Sequence, residues 1–297
     1  MLAPPLAAQT PPATPPAEPG QSVTVTGERE ASEAERRREA SRFVDSHAVR
    51  TRIGQLARWH EPVCVRTWGL PLELNAQISN RVMDIADRLG IPTNRAEMCE
   101  PNVRIGFTTE PQSLIERAYR RNTAIIGFHY AAQSERLMRV RQPVQAWYVT
   151  RTQGGAPGRG SIGSSNPQAA TIDQAGVPTP GGRPDSRLSS GLSSGLAHVL
   201  IFADTHVVEG QETDAIAELM AYLALAQTPV AETCDNTDTI LNLMNPACPP
   251  ERRPVAMTRQ DIAYLRALYS VDPSWAPRMQ QGTLVLRMTE TLGNEGR

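Results

Sequence analysis

His198-Val-Leu-Ile-Phe-Ala-Asp-Thr-His206 is the segment around which the rest of the chain can be ordered. It lies in a β-rich run from Ala197 to Val207, whose apolar block Val199–Ala203 reads as a buried strand, and a helix over 213–226 follows. Upstream, Pro71 opens a helix with Leu74, Ile78, Val82, Ile85 and Leu89 on one face, and Gly90 ends it. Cys64–Trp68, Val103–Phe107 and Gln145–Thr150 read as strands, and Pro111 opens a helix through Tyr119. Phe43, His47, Val49, Ile53, Leu56 and Trp59 predict a helix near which the folded part begins. At the far end Thr258 caps a helix, with Asp261 three residues later and Ile262, Leu265 and Leu268 as its buried stripe. Helices and strands alternating in this way imply an α+β fold, a mixed sheet covered by helices, in one domain over 43–297.

Composition bounds the chemistry. All 30 basic residues among the 297 are arginine, so a Schiff-base lysine, a P-loop lysine and a lysine general base are excluded. A formal charge of -1 argues against a dedicated nucleic-acid binder. Residues 1–42, Pro-rich and then charged, are expected to form a disordered arm, with 28–42 helix-prone and solvated. The Gly/Ser/Pro-rich stretch at about 152–195 is expected to be a flexible insertion. The opening residues lack a signal peptide's basic and apolar regions but resemble the spacer that follows one. The expected location is therefore periplasmic or secreted, with the export signal upstream or removed. No run of 18 apolar residues is present, so no transmembrane helix is expected.

Four cysteines, Cys64, Cys99, Cys234 and Cys248, support the same location. None forms the C-x-x-C pair that zinc knuckles and thioredoxin motifs use. Four cysteines permit three pairings, and spacing does not choose among them. Neighbour pairing, Cys64 with Cys99 and Cys234 with Cys248, is the expectation because each pair brackets a compact segment.

Two motifs match catalytic patterns in the wrong context. Gly191-Leu-Ser193-Ser-Gly195 fits G-x-S-x-G, yet a strand follows the serine where a nucleophile elbow needs a helix. Gly158-Arg-Gly-Ser-Ile-Gly163 fits G-x-G-x-x-G, but Ser164-Ser-Asn-Pro167 leaves no helix to meet a phosphate. His198 and His206, eight apart on the expected strand, share a face but stand about 26 Å apart. His47 and His129 read as core or boundary histidines, and His60 as a residue at a helix end.

The last third carries a family pattern. Thr258-Arg-Gln-Asp-Ile262-Ala-Tyr-Leu265-Arg-Ala-Leu268-Tyr269 resembles the closing helix of zincin metalloproteases. Thr239-Ile-Leu-Asn-Leu-Met244-Asn-Pro246 is similar to their methionine turn, and Ala217-Glu-Leu-Met-Ala-Tyr-Leu-Ala224 stands where their H-E-x-x-H helix lies. In this alignment Ala217 and Ala221 occupy the histidine positions, Gln227 the third-ligand position, and only Glu218, the general-base position, matches. The resemblance, confined to 197–271, implies a zincin-like C-terminal half lacking the H-E-x-x-H ligands, similar to uncharacterised secreted proteobacterial proteins with degenerate motifs. Alanine offers zinc no donor atom, and without the ion Glu218 has no polarised water to deprotonate. The implied function is a non-catalytic pseudo-peptidase with no metal or cofactor. It would bind a protein or peptide partner in the cell envelope. The alternative is an active hydrolase built on Glu218, His198, Asp204 and His206.

Overall fold

The computed structural model describes residues 31–127, 129, 131–154, 170–172, 178–180 and 189–294. The Pro-rich part of the expected arm, the 158–163 glycine cluster and most of the expected insertion lie outside the described residues. From Ser32 onward the chain forms one compact unit.

The described residues form six strands: β1 (Val65–Trp68), β2 (Val103–Thr108), β3 (Val144–Gly154), β4 (Ala170–Ile172), β5 (Pro178–Pro180) and β6 (Leu192–Asp204). Eight α-helices accompany them among the described residues: α1 (Glu33–His47), α2 (Leu72–Arg88), α3 (Pro111–Arg121), α4 (Ala131–Leu137), α5 (Thr205–Val208), α6 (Thr213–Leu225), α7 (Arg259–Ser270) and α8 (Pro277–Asn294). The main sheet is mixed, in the order β1-β2-β6-β3. β1, β2 and β6 run parallel, with Val65 opposite Val103 and Val103 opposite Val199. β3 is an antiparallel edge strand on β6, and its register shifts between Val149 and Thr150. The fold is thus α+β with a mixed sheet and covering helices, as the alternation implies. β4 and β5 pair antiparallel inside the expected insertion, and β3 and β6 reach into its two ends.

Period-two alternation along β6 sends Val199, Ile201 and Ala203 to one face and Leu200 and Phe202 to the other. The first face carries a large core with residues of α1, α2, α6, α7 and α8. At roughly 1.5–3 kcal/mol per fully buried aliphatic side chain, this layer supplies most of the stabilisation. On the second face, among the described residues, only Ile115, Ile126, Trp147, Leu200 and Phe202 form a buried cluster, packed under α3, with Trp147 Nε1 donating to the Leu137 carbonyl at the end of α4.

The N-terminal boundary differs from expectation. α1 starts ten residues before Phe43, because Ser32-x-x-Glu35 is a capping box: the Glu35 carboxylate accepts from the Ser32 N–H at 2.8 Å. Ala40, Phe43, Val44 and His47 line its buried side, so residues 33–42 belong to the domain rather than to a solvated arm. The helix predicted onward to Trp59 is absent. The chain leaves helical geometry at Ala48 and turns at Gly54, whose φ of 79° suits glycine. Side chains fix that segment instead. Gln55 Nε2 donates to Ser190 Oγ, the Leu192 carbonyl and the Trp275 carbonyl, and Trp59 Nε1 donates to the Ala224 carbonyl at 2.8 Å. Arg58, 3% exposed, donates to the Leu268 and Val271 carbonyls at the C-terminus of α7, where the helix dipole favours a cation. Burial lowers its pKa to about 10.

Both disulfides are closed in the neighbour pairing, Cys64–Cys99 and Cys234–Cys248, and they fit an oxidising environment. Among the described residues no helix is long and apolar enough to cross a membrane.

Candidate functional site

A small groove of about 50 Å³ opens between the start of the edge strand and α6. Val144 and Ala146 of β3 form one wall, and Leu219 and Leu223 of α6 form the other. Four residues apart, the two leucines stack on one helix face. α6 is buried nearly all round, as a helix of Ala, Leu, Met and Tyr must be when layers cover it on several sides. Tyr148 ties the walls together by donating its hydroxyl to the Leu223 carbonyl at 3.0 Å, with Thr228 Oγ1 at 3.1 Å. Burial pushes the Tyr148 phenol well above its usual pKa, so it stays a neutral donor. Gln142 donates to the Ala231 carbonyl and Arg141 pairs with Glu232, bridging the wall to the segment after α6.

Leu241, Met244 and Asn245 line the groove from the turn inside the Cys234–Cys248 loop. That turn is held from within. Asn242 accepts from the Asp235 N–H at 3.0 Å and donates to the Asp235 and Thr237 carbonyls. Asp261, fully buried at the start of α7, accepts from Thr239 Oγ1 (2.8 Å), Ile240 N (2.7 Å) and the Thr258 backbone N–H (2.9 Å). Burial raises its pKa to about 6 against the pull of these donors. On the other side of the loop, the Asp235 carboxylate lies 3.7 Å from Nε2 of the buried His47. The His47 ring stacks on Phe43 at 3.9 Å, and burial lowers its pKa.

The residues expected to carry chemistry are not gathered here. Ala217 and Ala221 are wholly buried in the main core, and Leu219 and Leu223, two positions further on, meet the groove. Glu218 pairs with Arg81 of α2 and accepts from the Met257 N–H at 2.7 Å, so both carboxylate oxygens are engaged structurally. Asp204 is the N-cap of α5 and accepts from the His206 backbone N–H at 3.0 Å. His206 therefore sits on a helix, not on the strand as expected, and its ring is exposed. His198 lies six residues before Asp204 on β6, about 20 Å along the strand. The structure brings only Asp204 and His206 close together. Glu218, His198 and the Asp204–His206 pair therefore do not form one cluster. Ser193, in the G-x-S-x-G match, lies inside β6 and is fully buried. His60 is not at a helix end but contacts the Ser194 carbonyl at 3.2 Å, and His129 is exposed, with Nε2 against the Ile126 carbonyl. Among the described residues no group of three His, Cys, Asp or Glu side chains is placed to hold a metal.

The groove residues Leu219 and Leu223 were not singled out in the sequence. The signal present was their four-residue spacing, masked because nearly every position of α6 is apolar. Compared with family models, curated proteins and solved structures, the chain matches none of them.

Proposed function

We propose that this is an exported, envelope-associated binding protein on a degenerate zincin-like scaffold, and that its groove receives an extended peptide without cleaving it. One observation carries the reading: the helix pair that faces the groove is Leu219 and Leu223, beside a sheet edge. An edge strand offers unpaired backbone groups to an added strand, and an apolar slot selects alternate side chains of that strand. The zincin-like reading draws support from the order strand, α6, Met244-bearing turn and α7, with the turn seated against α6 through Leu241 and Met244. The non-catalytic reading draws support from Glu218, whose oxygens serve Arg81 and Met257 rather than a reacting group. The two disulfides support the periplasmic or secreted location.

Selection of a displayed random-peptide library against the full chain tests the proposal. Enriched peptides should carry apolar residues at alternate positions, lose binding to a Leu223→Asp variant, and be recovered intact by mass spectrometry. Cleaved peptides, or binding indifferent to Leu223→Asp, would refute it.

A further inference from the structure

The thinly covered face of the sheet holds a second cavity, of about 590 Å³, within the size range of small-ligand sites. Its lining includes Arg104 of β2 and His198 of β6, with Asn94 from the loop closed by Cys64–Cys99, Glu100 just after that bridge, and Asn122 from the end of α3. That rim is held in place before any ligand arrives. Asn102 accepts from the Cys64 N–H at 2.8 Å and donates to the Pro62 carbonyl at 3.0 Å, while the Asn94 N–H donates to the Val63 carbonyl at 2.8 Å. Of the two carboxylates at the cavity, Glu61 is neutralised by Arg151, whereas Glu100 has no partner among the described residues. The Arg104 guanidinium likewise meets no carboxylate among the described residues. Burial, helped by Arg104, pushes His198 below its usual pKa, so the ring is neutral at neutral pH. A neutral imidazole keeps one ring nitrogen as an acceptor. The Asn122 oxygen already accepts from the Ala124 N–H, which leaves its amide hydrogens to donate.

The cavity thus offers one unpaired cation, one unpaired anion, amide donors and an imidazole acceptor on a fixed rim. A simple anion would satisfy Arg104 but be repelled by Glu100, and a simple cation the reverse. We propose that this cavity binds a small zwitterion, an amino acid or short peptide, with its carboxylate on Arg104 and its ammonium on Glu100. A guanidinium fork is the side chain best suited to a free carboxylate. The site is separate from the groove beside α6 and does not depend on how that groove is used.

Titration of the full chain with diglycine, followed by NMR at the His198 ring and the amides of Glu100–Arg104, tests the assignment. Saturable shifts are expected, with C-amidated and N-acetylated diglycine each binding at least about tenfold more weakly. Arg104→Ala should abolish the preference for the free carboxylate, and Glu100→Gln, on an exposed loop, the preference for the free ammonium. Tighter binding of glycine than of diglycine would identify the ligand as an amino acid, and the reverse as a peptide. The proposal is overturned by no saturable shift, by equal binding of the blocked peptides, or by acetate or inorganic phosphate competing as well as diglycine.

Discussion

The two faces of the main sheet were built from alternate residues of the same strands, yet they differ in almost every respect. One face is buried beneath α2 and α6, with α1, α7 and α8 completing the layer, and it encloses the hydrogen-bond network around Asp261. The other carries a five-residue cluster, an aromatic ring standing on a glycine, and a polar cavity. At Gly106 an added Cβ would lie 2.6 Å from the Trp68 ring, so only glycine permits that packing. The contrast teaches a division of labour: most of the stability resides on the thick side, and the larger of the two openings lies where covering is thin.

Four measurements break or sharpen this comparison, all read as unfolding free energies from urea titrations. The largest effect is expected at Ile201, which points into the thick side, against its neighbour Leu200 on the thin side. Ile201→Ala should lose about 5 kcal/mol and Leu200→Ala about 3, since a thin layer can collapse around the space left. Equal losses would erase the distinction. Next come the disulfides. By loop-closure entropy, removing Cys64–Cys99 should cost about 4 kcal/mol and Cys234–Cys248 about 3, for separations of 35 and 14 residues. Loss of peptide capture on removing Cys234–Cys248, with none on removing Cys64–Cys99, would assign the groove to the Cys234–Cys248 loop alone.

The third concerns acid. Asp261 has a folded pKa of about 6, above its unfolded value, so its contribution is fully present below the unfolded pKa of 3.8 and is lost as pH rises through 6. The difference between these limits is on the order of 3 kcal/mol. Stability measured between pH 3.5 and 7 should carry this slope in the wild type and lack it in Asp261→Asn. An identical pH profile in both proteins would remove Asp261 from the account. The smallest effects separate the two charged residues that most resemble functional groups. Glu218→Gln, on the thick side, should lose about 1 kcal/mol with the Arg81 pair, while Arg104→Ala should stay within about 0.5 kcal/mol. A large loss at Arg104 would make it a structural residue and count against a ligand role.

Where an element owes its existence to local rules, the sequence announced it. The four-four-three-four spacing of α2 and the Thr258–Asp261 cap of α7 appear as read, because periodicity and capping are short-range. The failures are of two kinds. The Ser32–Glu35 capping box was legible but lay in a run of charges, and charge alone suggested a solvated helix. Residues 48–59 carry helix-like apolar spacing, but their backbone is fixed by Gln55, Arg58 and Trp59 reaching partners more than 100 positions away. No local window contains that information. The groove was hidden for a related reason: in a helix apolar on all sides, only the neighbours decide which pair meets open space. The second cavity was equally illegible, since Glu100, Arg104, Asn122 and His198 meet only through the sheet and the Cys64–Cys99 loop.

The position of β6 within the sheet has a consequence for how the chain reaches its native state. β6 lies between β2 and β3, and Val103 finds its partner in Val199, 96 positions later. β1 and β2 therefore acquire no completed sheet until most of the polypeptide has been delivered. Pairing over such separations must overcome loop closure before it gains contacts, which places folding in the slow, high-contact-order class. The central sheet of such a chain stays open until its last third arrives.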